Sequence, residues 1–508
     1  MRRSLRSRIT GLILLAWIPL AQAQSTLPEP VARQLVAGQL PDDALSVLVL
    51  RGDTVLLAHR ADRPMHPAST MKLVTTLVAL EQLGPVFRGR TELRTNSPLV
   101  DGVLKGDLVL RGGADVDLSS EVLDTMLRAL RNQGIRHIDG RLVLDRQLFT
   151  PARSDLGAPP FDDAPEAYYN VIPDALLINK NMVQLDLRAT DKRLQVNSQP
   201  VFDNITFGSG MSLVAADCNA WEKGWEAPQM ERDSSGSNDG GNDGGKIRVT
   251  LRGTFPKNCA RTYSINVIDR QDYVDRLFRL HWKQLGGSLR GATVEGVMPQ
   301  DVRLLAEHAA RALPEVIRDT NKPSDNALAR TLFLSLGSLE ADPALGSHAL
   351  PATGEATAVR AERTIRGWLR SHAIDDTGAV FENGSGLSRV ERISPLQMGA
   401  LLQAGLRSQW APEFLSSIPI VGIDGTMRRR LRDSPAAGHA RMKTGTLKNV
   451  VALAGYVTDA SGQQCVVVAM INHDQVGDGK GRAVLDALVD WVARLPGVGI
   501  SAAPATQP

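Results

Sequence analysis

Ser69 and Lys72 stand three residues apart in HPASTMKLVTTLVALEQLG (66–84), and no other serine in the chain is followed by lysine at that distance. Met71, Leu73, Val74, Leu77, Val78, Leu80 and Leu83 recur at helical spacing and Gly84 is a stop, so the run reads as a helix with both residues on one face of its first turn. The plain reading is a serine cap beside a solvated lysine. The chemical reading is an activated nucleophile. A serine hydroxyl attacks poorly until a base takes its proton, and an amine one turn away is such a base once desolvation or a nearby cation lowers its pKa.

Two further triplets decide between these readings. Ser324-Asp325-Asn326 opens a helical pattern in NKPSDNALARTLF, and Lys443-Thr444-Gly445 lies in a strand-like run in ARMKTGTLKN; each occurs once. Alone, the first is a helix cap and the second a turn. Together with Ser-x-x-Lys, in this order, they form the set used by active-serine enzymes of the penicillin-recognising group. No Ser-His-Asp set is evident and GxSxG is absent. The chemistry assigns Ser69 as nucleophile, Lys72 as base and Lys443 as the second cation that lowers the base's pKa. Ser324 relays the proton to a leaving amine. Asn326 binds a substrate amide and holds Lys72, while Lys443 and Thr444 grip a terminal carboxylate beside Gly445. The backbone N–H groups of Ser69 and Thr446 form an oxyanion hole.

Elements must bring these segments together. ALSVLVL (44–50) and TVLLA (54–58) read as a hairpin. From about residue 91 the texture is short strands with Gly/Asp turns around one helix, EVLDTMLRALRNQG; NMVQLDLRA and KIRVTLRGTF are further strands. From about 301 helical patterning dominates, with DVRLLAEHAARAL, SDNALARTLFLSLG and EATAVRAERTIRGWLRSH all amphipathic. MKTGTL, VVALAGYVT and QCVVVAMI read as adjacent antiparallel strands, followed by a last helix over GRAVLDALVDWVARL. A sheet covered by helices follows, which the opening hairpin could join.

Composition bounds the class. The chain has 508 residues, enough for several domains. Its start combines Arg2, Arg3, Arg6 and Arg8, an apolar run and Ala21-Gln22-Ala23, the pattern of a cleavable signal peptide over 1–23. Removing it takes four arginines and no acid, so the formal charge falls from +3 to −1. The basicity is the leader's, no basic patch interleaves with aromatics, and nucleic acid is not an expected partner. No later run is long and apolar enough to span a bilayer. No His/Cys spacing suggests a metal, and the expected chemistry needs no cofactor. Of three cysteines, Cys218 and Cys259 flank one segment and could close it, whereas Cys465 reads as a buried strand thiol. DSSGSNDGGNDGG (233–245) does not fit a calcium loop and reads as a surface loop; the tail SAAPATQP reads as disordered.

With these motifs in place, the chain resembles the class C low-molecular-mass penicillin-binding proteins, the D-alanyl-D-alanine carboxypeptidase/endopeptidase family. HPASTMKL and NKPSDNALARTLFLSLG match its first two motifs, and NGSGLSR (383–389), PIVGIDGTMRRR (419–430) and MKTGTLKNVVALAGYV (442–457) match its further signatures. There are 251 residues between Lys72 and Ser324 and 116 between Asn326 and Lys443. The first gap is far too long for a β-lactamase, and in the family it holds two inserted domains, one nested in the other. The resemblance implies an α/β (α+β) penicillin-binding/β-lactamase-like catalytic domain over 24–90 and 301–508. It places an inserted domain over 91–180 and 247–300 and a nested one over 181–246. It also implies a Cys218–Cys259 disulfide and, in PPFDDAPEAYYN, an acidic residue at Asp163 (Asp162 is adjacent) that reaches the peptide's side-chain amine. Asn383 stands where the family often has Asp, and Val116 where Pro often follows Asp115; both bear on substrate preference.

The expected protein is a periplasmic serine peptidase that removes the terminal D-Ala from peptidoglycan stem peptides and cuts cross-links through an acyl-enzyme on Ser69. Peptidoglycan peptides are the expected partners and β-lactams the expected covalent inhibitors; a homo-oligomer is left open. The rivals are a β-lactamase-like hydrolase, which needs a base to activate water, and a wall-binding protein that has lost catalysis. A Glu-x-x-Leu-Asn segment is absent after Asn326, and Ser69, Lys72, Asn326 and Lys443 are all intact.

Overall fold

The computed structural model describes residues 26–233 and 245–497. The expected leader over 1–23, most of the Asp/Asn/Gly-rich stretch at 233–245 and the tail lie outside the described residues.

In chain order the elements that frame the site are α1 (Glu29–Gly38), β1 (Leu45–Arg51), β2 (Thr54–His59), α2 (Met71–Leu83), β3 (Arg90–Thr95), β4 (Leu108–Gly113), α3 (Ser120–Asn132) and β5 (Leu142–Asp145). Next come β6 (Val183–Ala189), β7 (Leu194–Gln199), β8 (Ile205–Ser209), β9 (Lys246–Pro256), β10 (Ala260–Ile265), α4 (Arg270–Gln284), β11 (Thr293–Glu295) and β12 (Arg303–Ala309). The last part holds α5 (Leu313–Asn321), α6 (Asn326–Leu336), α7 (Thr357–Ser371), α8 (Pro395–Arg407), β13 (Ala440–Leu447), β14 (Val450–Thr458), β15 (Gln464–Asn472) and α9 (Lys480–Ala493).

The opening hairpin joins the C-terminal strands in one antiparallel sheet of order β2-β1-β15-β14-β13. β1 and β15 pair in unbroken register, Leu45 opposite Ile471 and Leu48 opposite Val468. Strand side chains alternate between faces, and here both faces are buried. Leu48, Leu50, Ala452, Tyr456, Val468 and Met470 pack with residues of α2, α5, α6, α7 and α8. Val47, Val49, Leu453, Val467, Ala469 and Ile471 pack with residues of α1 and α9. Cys465 falls on that second face as a buried free thiol.

Between α2 and α5 the chain builds a second five-stranded sheet, β11-β5-β4-β3-β12, and three smaller sheets, one of them made only of the two-residue strands Leu99–Val100, Val103–Leu104, His137–Ile138 and Ser288–Leu289. Another is β7-β6-β10; in the third, β9 lies beside β8 and pairs with Trp225–Asp233. These share their own core, in which Leu93, Leu110, Leu127, Leu185, Val249 and Phe278 are fully buried. A Cys218–Cys259 disulfide pins its distal part.

One expected helix is a strand. DVRLLAEHAARAL favours helix by composition, yet Arg303–Ala309 pairs with β3, with an irregularity between Leu304 and Ala306, and helix begins only at Leu313. Tertiary pairing overrides local propensity here. β3 offers an open edge, and within Arg303–Ala309 only Leu305 is buried.

Candidate active site

Ser69 sits in a tight turn, Ala68–Thr70, that feeds directly into α2. The turn is strained: Ala68 has φ +45°, a region that side chains other than glycine seldom occupy. It is held by the Thr70 hydroxyl donating to Pro67 O (2.8 Å) and by His66. The Ala68 N–H donates to His66 Nδ1 (3.3 Å), so Nε2 carries the proton and donates to Ser388 O (2.5 Å). Burial lowers the His66 pKa, which favours this neutral ring. Two glycines press on the same turn. A Cβ on Gly386, at φ +81°, would stand 1.9 Å from Ala68 O, and one on Gly445 would stand 2.9 Å from Ser69 N. Only residues without side chains let these two loops close on the serine.

α2 is apolar nearly all round and buried, so Lys72 has no route to solvent and is fully buried, whereas Ser69 is only half-buried. The Lys72 amine meets three acceptors: Ser69 Oγ at 3.0 Å, Asn326 Oδ1 at 2.6 Å and Ser385 O at 2.5 Å. Burial pushes its pKa down to about 7; the carboxylates of Asp325 and Glu391 oppose this and Arg330 adds to it. Loss of water dominates this depression, and the Arg330 guanidinium adds to it. Lys443 is itself fully buried, and its pKa is well below the ordinary lysine value, first through burial and then through the charge of Lys72.

Lys443 donates to Ser324 Oγ (2.8 Å) and Thr444 O (2.8 Å). Ser324 has φ +68°, and the Asp325 N–H closes the loop onto Thr320 O (2.9 Å). The Thr444 hydroxyl donates to Thr426 Oγ1 (2.8 Å), which draws in the 419–430 loop. β13 is the edge of its sheet. The Met442 N–H donates outward to Pro419 O (2.8 Å). By strand alternation the N–H groups of Thr444 and Thr446 also point outward, on the side where Gly445 meets the Ser69 turn. The Ser69 N–H, in the first turn of a helix, has no intrahelical acceptor.

The structure thus gathers Ser69, Lys72 and Asn326 into one hydrogen-bonded group and Ser324 with Lys443 into a second, with Thr444, Gly445 and Thr446 on the adjoining edge. Asp163 is exposed and, among the described residues, makes no hydrogen bond to any of these; it is Asp162 that is fixed, by Tyr169 (2.9 Å) and Asn170 (2.7 Å). Beside the site a cavity of about 680 Å³ is lined by Phe161, Asn170, Arg330, Asn383 and Arg389, among others.

Three participants carry no sequence signal or a misleading one. The carbonyls of Ser385 and Tyr169 act through backbone; the Asn326 amide donates to Tyr169 O (2.9 Å). Glu391 is wholly buried and accepts from the N–H groups of Glu382, Asn383 and Gly384 at 3.2, 3.0 and 2.9 Å, which shapes the turn that presents Ser385 O. Its place just after the NGSGLSR run was the only available hint.

The chain matches the model of the D-Ala-D-Ala carboxypeptidase 3 (S13) family over residues 28–495. It is 28% identical over 441 residues to the D-alanyl-D-alanine carboxypeptidase DacB of Haemophilus influenzae, covering 85% of each chain. Its fold is similar to the crystal structure of penicillin binding protein 4 from Haemophilus influenzae, with TM-score 0.72 and 24% identity over 92% of this chain and 99% of that one. The same protein complexed with a β-lactam gives TM-score 0.70 and 24% identity over the same shares.

Proposed function

Because the chain belongs to the D-Ala-D-Ala carboxypeptidase 3 (S13) family and is a serine peptidase acting on peptidoglycan, we propose that it both trims terminal D-Ala and opens peptide cross-links through an acyl-enzyme on Ser69. The periplasm is its place of work, and β-lactams are its covalent inhibitors.

One observation carries this reading: the three contacts of Lys72. A neutral amine has two N–H bonds and one lone pair. Asn326 Oδ1 and Ser385 O take both N–H bonds, which leaves the lone pair facing the Ser69 hydroxyl at 3.0 Å. Ser69 Oγ attacks the carbonyl of the penultimate D-Ala, and its proton moves to Lys72. The oxyanion forms against the N–H groups of Ser69 and Thr446. The C–N bond to the terminal D-Ala then breaks, and Ser324, hydrogen-bonded to Lys443, relays to the departing amine the proton that Lys72 took from Ser69, which leaves Lys72 neutral again. Lys443 and Thr444 receive the terminal carboxylate. Water hydrolyses the ester, returns a proton to the site and frees Ser69. When the leaving amine belongs to a neighbouring stem peptide, the same steps cut a cross-link. In this reading Asp163, in the insertion, meets the peptide's side-chain amine.

A β-lactam presents its strained amide to the same hydroxyl, in keeping with the β-lactam complex of the Haemophilus protein. The test is labelled penicillin on the mature protein, wild type beside Ser69→Ala. Stable label on the wild type alone supports the peptidase. Rapid turnover of label points to a β-lactamase-like hydrolase, and no label to a wall-binding protein. Product analysis on a cross-linked muropeptide then checks for both activities.

A further inference from the structure

From the strand-rich insertion we infer that Tyr168 and Lys180 are positioning residues for catalysis: they clamp Asp325 and, with the Tyr169 carbonyl, fix the orientation in which Asn326 holds Lys72. The inference rests on the acylation chemistry above and concerns residues outside all three motifs.

Three observations converge. First, Asp325 divides its carboxylate. One oxygen accepts the Leu328 N–H (2.9 Å) and caps α6; the other accepts both Lys180 Nζ (2.8 Å) and the Tyr168 hydroxyl. Lys180 also donates to the Tyr168 oxygen (2.5 Å), and its ammonium lies 5.0 Å from that ring's centre. The carboxylate is only 8% exposed and Lys180 30%, so the pair is partly shielded from water at its acidic end.

Second, the next residue is Asn326. Its Nδ2 donates to Tyr169 O, one residue along from the clamp, so its Oδ1 must face Lys72. A rotated amide would set an N–H against the lysine and remove one of the two acceptors that direct its lone pair.

Third, the backbone behind Lys180 is strained. Asn179, Lys180 and Asn181 all have φ between +48° and +57°. Three consecutive residues other than glycine in that region persist only where the surroundings hold them. Asn179 bonds Ser120, and Asn181 bonds Asn266 and Ile268 O. The insertion is built to aim Lys180 at the second motif.

The electrostatic consequence has a sign. Lys72 is faced by Asp325 and Arg330 from around α6, by Glu391 from the 383–391 turn and by Lys443 from β13. Asp325 favours the charged lysine. Lys180 offsets part of that negative charge; without it, Lys72 holds its proton to higher pH.

The test is the acylation rate of full-length wild type, Lys180→Met, Lys180→Arg and Tyr168→Phe with labelled penicillin from pH 5.5 to about 9. Removing the clamp should slow acylation by about 10–100-fold, the range that misplacing a reacting group by about 1 Å produces. The acid limb of the profile should move to higher pH in Lys180→Met, and Lys180→Arg should restore both. A structural brace alone would lower the amount of folded protein without moving the limb. Wild-type rates and an unmoved limb in Lys180→Met overturn the inference. Should Lys180→Met not fold, Tyr168→Phe, which keeps the ring and the lysine's charge, decides by the acylation rate per folded enzyme: a slowed rate with an unmoved limb supports the positioning role, and a wild-type rate overturns it. If the wild type itself takes no label, the acylation reading fails instead.

Discussion

At the scale of single residues, the site is governed by one amine kept from water. Because burial brings Lys72 to about 7, its ammonium form predominates below that pH and cannot accept the Ser69 proton. Acylation by labelled penicillin should therefore fall about tenfold per unit below pH 7 and level off above it, as expected for a single essential base. A flat profile between pH 5.5 and 8 would refute Lys72 as that base. Gly386 is the second test at this scale. Gly386→Ala adds a Cβ at φ +81° against Ala68 O, which should cost about 2–4 kcal/mol in urea unfolding and abolish labelling, since strain and overpacking add at one point. Ser69, Lys72, Ser324, Asn326 and Lys443 could be picked out beforehand because the chemistry demands those side chains. The carbonyls of Ser385 and Tyr169 could not, since a backbone acceptor leaves no trace in residue type.

At the scale of elements, patterning was readable where burial is uniform and misled where a sheet edge decides. β14 and β15 announce themselves as unbroken apolar runs because both of their faces are covered. β12 does not, because its leucines and alanines favour helix and only pairing with β3 makes it a strand. The Tyr168–Lys180 clamp was equally hidden: it joins residues 145 apart in sequence, and three left-handed residues cannot be read from Asn-Lys-Asn. The disulfide gives this scale its prediction. It closes a 41-residue separation in the distal sheets, so reduction should lower stability by about 4 kcal/mol on a chain-entropy estimate. Hydrogen exchange should place that loss in β6–β10, with the labelling rate unchanged. A parallel loss of labelling would show that the distal sheets support the site directly.

At the scale of the whole molecule, the site is assembled from segments hundreds of residues apart, with the nucleophile near one end and the substrate edge near the other. A chain stopped after Ala460 keeps Ser69, Lys72, Ser324, Asn326 and Lys443 but lacks β15 and α9. It loses one of the two partners of β1 and the helix that packs on α1. Such a chain should take no label and should be digested rapidly by a nonspecific protease; a labelled truncate would show that the remaining strands suffice.

The pairing of β1 with β15 also sets a timetable. Synthesis delivers Ser69 early, but the strand that pairs with β1 begins 395 residues after it. Until then the hydroxyl is an ordinary alcohol on an unfinished chain. A hydrolase of peptidoglycan therefore gains its activity only after β15 has been made and has paired with β1.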